Sequence, residues 1–377
     1  MKIGFVSPHT FSYPGGVQKH IKNLASEFEK RGHSVKFIFP REEIPQKKDK
    51  NTILFGGSFY ISANASKTNI SLAINEISIS RRLKKEKFDL LHFQNFGVFL
   101  PWQVLDNSKS LNILTMHANP DGSRLFKLFP DFFNIFNDYI LPKFDGLIGV
   151  SEVALKNINF NGPKTIIPNG IDTNTFKPNV GKITKFDQKK INLLFVGRLE
   201  KRKGLIYLLK AFKLLQEDKL PVRLIIVGDG PKKREAKEFI KDNNLKDIFF
   251  EGQITDDKIL AKYYNSADIC VFPSIYGESF GIVLLEAMAC GKPVVAFANE
   301  GYKCTLKNTK GEKFLVKPKD HKELAEKLEF LIENPKKRKE MGQWGIGEAQ
   351  KYNWPQIASK TLEFYQQVGV FCSPCHF

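Results

Sequence analysis

Short runs of β-branched and aromatic residues alternate along this chain with stretches of helical periodicity, and the alternation runs through twice. Lys2–Val6 is followed by a helical pattern over Gly16–Arg31 and by strand candidates at Ser34–Phe39, Asp89–Phe93, Asn112–Met116 and Gly146–Val150. The rhythm restarts at Ile191–Val196 and continues through Val222–Val227, Ile248–Glu251, Asp268–Phe272 and Pro293–Phe297, ahead of helical patterns over His321–Glu333 and Pro335–Lys351. Strands separated by a helix pair in parallel, so each half predicts βαβ units. A chain of 377 residues is longer than one hydrophobic core normally grows. The fold is therefore expected to be α/β, with two Rossmann-like doubly wound domains facing across a cleft. Their boundary is expected in Phe176–Phe186, giving domains 1–178 and 179–352. Ligands of such sheets bind beyond the carboxyl ends of the strands.

Composition narrows the partners. Hydrophobic residues at 42% and charged residues at 26% exclude disorder on a large scale. The net charge of +18 suits nucleic acid, anionic headgroups or diphosphate-bearing small molecules. No aromatic-basic RNA motif or helix-turn-helix pattern accompanies it, so nucleic acid is not an expected partner. The apolar stretch Ile3–Val6 is too short for a signal peptide, and no later run approaches the ~20 residues of a membrane span. A cytoplasmic protein, or one held on the inner face of the plasma membrane without crossing it, is expected. Cys270, Cys290 and Cys304 stand alone and form no disulfide framework. Cys372-Ser373-Pro374-Cys375-His376 matches a haem-attachment string but has no helix after it to pack a haem, so neither haem nor metal is expected there.

Four segments carry candidate chemistry. The run from Pro273 to Val295 reads as strand end, loop, helix, glycine cap and next strand. Gly277 and Gly281 allow close backbone approach, and the amides of Ser279, Phe280, Gly281 and Ile282, with Val283 following, point toward an anion. Glu278 before the helix and Glu286 inside it can accept hydrogen bonds from vicinal hydroxyls of a hexose and a ribose. In Phe195–Gly204, Arg198 and Lys203 suit a diphosphate, the first bidentately and the second as a point charge. Gly15-Gly16 ahead of a helix suits a phosphate or a developing oxyanion. His117 stands just past a strand, where a binding role and a core role are both open.

In this order the four segments resemble the retaining GT-B glycosyltransferases of family four. The likeness covers nearly the whole chain, including Gly228-Asp229-Gly230-Pro231, Ile166–Asp172 and Tyr352-Asn353-Trp354. It implies a nucleotide-sugar donor, with Glu278 on the transferred sugar and Glu286 on the ribose. Arg198 and Lys203 would hold the diphosphate, His117 would touch the sugar, Gly15 and Gly16 would lie against phosphate, and backbone at Gln253 and Ile254 would meet the base. The last helix, at about 355–369, would pack back on the first domain. Retention would proceed by front-face departure of the nucleoside diphosphate. No tightly bound cofactor is expected, and Mg2+ is expected only together with the donor, since no Asp-x-Asp pair is present to name as ligands.

Within that family the opening Lys2–Pro8 and the Gly277–Leu284 run look most like phosphatidylinositol mannosyltransferases, which use GDP-mannose at the cytoplasmic membrane face. Arg81, Arg82, Lys84 and Lys85 resemble their basic, lipid-facing helix, a stretch that can equally serve as a solvated face. Leu125, Leu128, Phe129, Phe132, Phe136 and Tyr139 fall on one helical stripe, which fits core packing or an acceptor-lipid groove. Two departures bear on the acceptor: His92-Phe93-Gln94-Asn95 stands where relatives often show His-x-His-Glu, and Tyr60–Leu72 lacks their acceptor-loop arginine. Transfer of another hexose, from a UDP- or GDP-sugar to a soluble or polyprenyl-linked glycan, is the alternative.

Overall fold

The protein is described from a computed structural model covering residues 1–12, 15–41, 49–63, 66–72, 76–95, 99–118, 134–186 and 189–372, with backbone alone at 58–63, 66–72 and 370–372. Two compact units result, one of Met1–Gly170 with the segment from Trp354 onward, the other of Ile171–Asn353.

The first unit runs β1 (Lys2–Val6), α1 (Gly16–Lys30), β2 (Ser34–Pro40), β3 (Thr52–Phe55), β4 (Gly57–Ala63), β5 (Ser66–Leu72), α2 (Glu76–Glu86), β6 (Leu90–Gln94), α3 (Leu100–Asp106), β7 (Leu111–Met116), β8 (Gly146–Gly149) and β9 (Lys164–Ile166). A seven-stranded sheet has the order β3-β2-β1-β6-β7-β8-β9, and its pairings are parallel. All five residues of β6 are buried, the signature of a strand covered on both faces. Ile3 and Phe5 pack with Leu24 and Phe28 of α1 and with Ile357, Phe364 and Val368 from the chain's last helix. At Gly146 a Cβ would fall 2.8 Å from Val368, so glycine lets that helix lie directly on β8.

The second unit runs β10 (Ile191–Val196), α4 (Leu205–Glu217), β11 (Val222–Val227), α5 (Lys233–Asp242), β12 (Ile248–Gly252), α6 (Asp257–Ser266), β13 (Ile269–Phe272), α7 (Ile282–Ala289), β14 (Val294–Phe297), α8 (Glu300–Leu306), β15 (Leu315–Val316), α9 (His321–Glu333) and α10 (Pro335–Gln350). Its six strands order β12-β11-β10-β13-β14-β15. Leu193, Phe195, Leu224, Ile226, Val271 and Val295 meet the apolar stripes of α4 and α9, in particular Leu208, Phe212, Leu324 and Leu328. The last helix, α11 (Trp354–Cys372), returns to the first unit.

Both sheets reverse their winding direction once. In the first, β2 and β3 lie on one side of β1 and the later strands on the other; in the second, β11 and β12 lie on one side of β10 and β13 onward on the other. The carboxyl ends of the strand pairs β1/β6 and β10/β13 are thus the switch points, where ligands of such sheets bind.

The stretch Phe176–Phe186, expected as the boundary, lies in the second unit, where Phe176 stacks edge-on to Tyr264 and Phe186 to Phe249. β3, β15 and the β4–β5 hairpin have no counterpart in the sequence, where four and two residues are too few for a period to show, and β9 meets the Ile166–Asp172 linker strand only at Ile166. The apolar stripe also differs. Leu125, Leu128, Phe129 and Phe132 lie outside the described residues, while Phe136 is 0% and Tyr139 71% exposed, so those two do not share a face. Phe136–Ile140 is a π-helical turn, and its wider winding aligns Phe136 with Ile140, which is buried, instead of Tyr139. The Cys375-His376 end lies outside the described residues, as does the side chain of Cys372. Among the described residues no helix is long and apolar enough to cross a membrane.

Candidate functional site

In the second unit the loops after β10 and β13 meet at the switch point. Gly204 has φ 70°, and a Cβ there would fall 2.0 Å from the Pro273 carbonyl oxygen, so only glycine lets the two loops touch. The Ile275 amide donates to the Arg202 carbonyl at 2.7 Å and locks the contact. A second clamp acts from the other side, where the Leu199 amide donates to the Asp229 carbonyl at 2.9 Å.

That docking brings charges together. Glu278 Oε1 accepts from Lys203 Nζ at 2.7 Å and from Arg202 Nη1 at 3.1 Å. Arg202 also donates through Nε to Glu200 at 3.0 Å, and Arg198 pairs with the other Glu200 oxygen at 2.9 Å. Three cations and two carboxylates alternate, so the cluster keeps a positive excess suited to a dianionic group. The loop carrying Glu278 is anchored from behind by α8: Asn299 donates to the Ser274 carbonyl at 2.8 Å, Tyr302 to Ser274 Oγ at 3.1 Å and Thr305 to the Phe280 carbonyl at 2.8 Å. Phe280 is buried, and Gly281 caps α7 at φ 98°. The first amides of α7, from Ile282 and Val283, have no acceptor within the helix. Ser279 lies in the loop between them and Glu278.

Glu286 sits just over one turn into α7 and is buried, accepting from Tyr264 Oη at 2.8 Å. Burial and the neighbouring carboxylate push the Tyr264 hydroxyl well above its ordinary range, so it stays a donor. Gln253, exposed, and Ile254, half-buried, follow the left-handed Gly252 at the end of β12.

In the first unit, β1, β6 and β7 end around a group of histidines. His117 Nε2 lies 2.7 Å from Gln94 Oε1, and its backbone amide donates to Asn95 Oδ1 at 2.8 Å. Its ring meets that of His20 edge-on at 4.7 Å. His20 Nδ1 donates to Asn169 Oδ1 at 3.1 Å, and its ring stands against Trp354. Burial drives His117 and His92 well below the usual imidazole range and His20 down to about 4, so all three are neutral at physiological pH. Gly15 is extended and precedes α1, whose first residue is Gly16; no atom of the described residues lies within 4 Å of a Cβ built on Gly16.

The structure thus brings Glu278 and Lys203 into contact, with Arg198 joined through Glu200 and Arg202. It places Glu286 against Tyr264 on the same helix-and-loop unit. Arg202, Glu200, Tyr264, Gln94, Asn95, His20 and Asn169 were not singled out for these contacts by sequence. Arg202 lay in view as one of three successive cations, but only the fold tells which of them face Glu278. On α2, Arg81, Lys84 and Lys85 are exposed, whereas Arg82 is half-buried in an ion pair with Glu86 at 2.9 Å. Burial alone would raise the Glu86 carboxyl, but hydrogen bonds from Lys2 and Lys36 bring it to about 2, and Arg82 is drawn into that internal cluster instead of the solvated face. Among the described residues no three His, Cys, Asp or Glu side chains gather that could hold a metal ion.

Residues 14–175 match Glycosyltransferase Family 4, and residues 176–347 match Glycosyl transferases group 1. Phosphatidyl-myo-inositol mannosyltransferase of Mycobacterium leprae is 30% identical, with 98% of this chain and 97% of that protein covered. D-inositol 3-phosphate glycosyltransferase of Pseudarthrobacter chlorophenolicus is 33% identical over 53% of this chain and 49% of that protein. Among solved structures, sucrose-phosphate synthase from Thermosynechococcus elongatus shares the GT-B fold, with a TM-score of 0.76 at 22% identity over 98% of this chain and 99% of that one.

Proposed function

The chain belongs to the glycosyltransferases of group 1 and family four and is a hexosyltransferase; on that premise we propose that it moves mannose from GDP-mannose to a membrane phospholipid such as phosphatidylinositol, with retention. The observation that carries the reading is the likeness to a phosphatidyl-myo-inositol mannosyltransferase along 98% of this chain and 97% of that protein.

The charge cluster of the second unit supports a donor role. A diphosphate entering beside Arg198, Arg202 and Lys203 competes with Glu278 and Glu200 for the same cations. Glu278 is then free to accept hydrogen bonds from sugar hydroxyls, and the cations stabilise the charge that grows on the leaving diphosphate. Glu286, fixed by Tyr264, offers its carboxylate to the ribose. The front-face course needs no protein nucleophile, because the departing diphosphate and the incoming hydroxyl act on the same face of the sugar. In the first unit a neutral His117 serves as a hydrogen-bonding group instead of a charge. Mg2+ would arrive with the donor, and no residue is assigned to it.

A panel of nucleotide sugars and acceptors tests the reading. GDP release that requires both GDP-mannose and phospholipid, with an α-linked lipid product, is the expected result. Turnover of a UDP-sugar, or transfer to a soluble or polyprenyl-linked glycan without phospholipid, would replace it with the alternative acceptor class.

A further inference from the structure

Gln94 closes β6 and is fully buried. Its Oε1 meets His117 Nε2 at 2.7 Å, while its own Nε2 is buried with no hydrogen-bond partner among the described residues. The amide therefore spends its one contact on the histidine, at the desolvation cost of an orphaned donor. A carbonyl oxygen only accepts, so the ring nitrogen facing it carries the proton. A neutral imidazole then has one lone pair left, at Nδ1.

The next residue completes the hold. Asn95 sits at φ 59°, a left-handed conformation that asparagine tolerates, and its Oδ1 accepts from the His117 backbone amide. Two consecutive carboxamides thus grip the ring and the main chain of one histidine.

We propose that Gln94 is a positioning residue: it holds the His117 proton on Nε2 and makes Nδ1 the ring's acceptor for a substrate hydroxyl. The hydroxyl rests on the glycosyltransferase reading above, while the location of the proton does not. The groups around His117 are His20 of α1, edge-on at 4.7 Å, His92 of β6, and the Asn169 side chain, which meets His20 and also hydrogen-bonds the His117 ring, favouring its charged form against the larger effect of burial. His92 is itself bonded on both nitrogens, to Thr115 Oγ1 and to Tyr365 Oη of α11, each at 2.6 Å. Both neighbouring histidines are buried, and each would repel a second positive charge. His117 accordingly works as a neutral acceptor.

Long-range 1H–15N spectra of the 15N-labelled full chain test this, with the His117 signals assigned among seven histidines by their loss in His117→Gln. The wild type should show the proton on Nε2. In Gln94→Met, which keeps the shape and removes the carbonyl, the proton should distribute over both nitrogens. kcat should fall about 2- to 10-fold, the worth of one neutral hydrogen bond, with donor KM unchanged. Gln94→Glu replaces the orphaned donor by a second oxygen and adds a negative charge, so His117 should become charged at a higher pH than in the wild type and the acid limb of kcat should move up with it. A residue that merely fills space would change melting temperature without moving either quantity. A wild-type proton on Nδ1, or unaltered His117 spectra in both variants, would overturn the proposal. The wild-type spectrum is read without ligand and decides it even if both variants misfold. Absence of any sugar transfer by the wild type would remove the functional reading alone.

Discussion

Replacing Gly301 by alanine puts one methyl group against the main chain of Glu278. A Cβ on Gly301 falls 2.2 Å from the Glu278 carbonyl oxygen and 2.4 Å from its carbonyl carbon, where ordinary contact begins at 3.4 Å. Both obstructing atoms are backbone, so no rotamer change relieves the clash, and α8 and the Glu278 loop must part by about 1 Å. Two effects oppose each other in stability: alanine improves helix propensity by ~1 kcal/mol, and overpacking costs ~1–3 kcal/mol. The net change is a loss of at most about 2 kcal/mol, which the fold survives. On the proposed reading, in which Glu278 meets the transferred sugar, function is far more sensitive, because Glu278 holds Lys203 at 2.7 Å and a displacement of about 1 Å at a reacting centre costs ~100-fold in rate. Steady-state kinetics with GDP-mannose and phospholipid, alongside thermal melts, should show kcat down by roughly two orders of magnitude with only a modest drop in melting temperature. Gly347→Ala is the control, since that glycine is exposed in α10 with no atom of the described residues within 4 Å of the added methyl; it should be neutral to stabilising and fully active. Wild-type kcat in Gly301→Ala would refute the view that α8 sets the position of Glu278.

Glu278→Gln should be nearly inactive in the same assay while melting close to the wild type, and comparable turnover by that variant would sink its assignment to the sugar. His20 has an ordinary value of 6.5 and is lowered to about 4 in the fold, so at pH above 6.5 it is neutral folded and unfolded, whereas below 6.5 the unfolded chain takes up the proton first. Stability should therefore decline from pH 6.5 to about 4, by on the order of 3 kcal/mol from this group; urea midpoints across that window should fall less steeply in His20→Leu, and an identical slope would exclude it. Co-sedimentation with anionic vesicles should weaken with salt and after joint replacement of Arg81, Lys84 and Lys85. Replacing Arg82 alone should lower the melting temperature more than vesicle binding, because its partner is Glu86; the reverse ranking would contradict its placement.

Several elements were legible because their cause is local. Lys2–Val6, Ile191–Val196, Val222–Val227 and His321–Glu333 have the same limits in the fold as in the periodicity, since burial of a strand or a helix stripe writes itself into neighbouring positions. The short strands β3 and β15 did not, because they owe their conformation to the sheet edge they pair with, Phe37↔Thr52 at one and Ala296↔Leu315 at the other. The π-helical turn at Phe136–Ile140 was hidden for a related reason: residue spacing reports a face only once the winding is known.

The sequence by itself determined two parallel-sheet units and marked the segments that form the candidate site, because glycines, cations and carboxylates beside strand ends are contiguous in the chain. It also held Glu278 and Lys203, though not their contact. Only the tertiary structure decided that Arg202 shares the Glu278 oxygen with Lys203, that Glu286 is bound to Tyr264, that Arg82 turns inward to Glu86, and that Gln94 grips His117. Each of these pairs joins side chains whose meeting depends on strand order or helix facing. A hydrogen bond depends on position to within a fraction of an ångström, and that is fixed by packing across the whole unit.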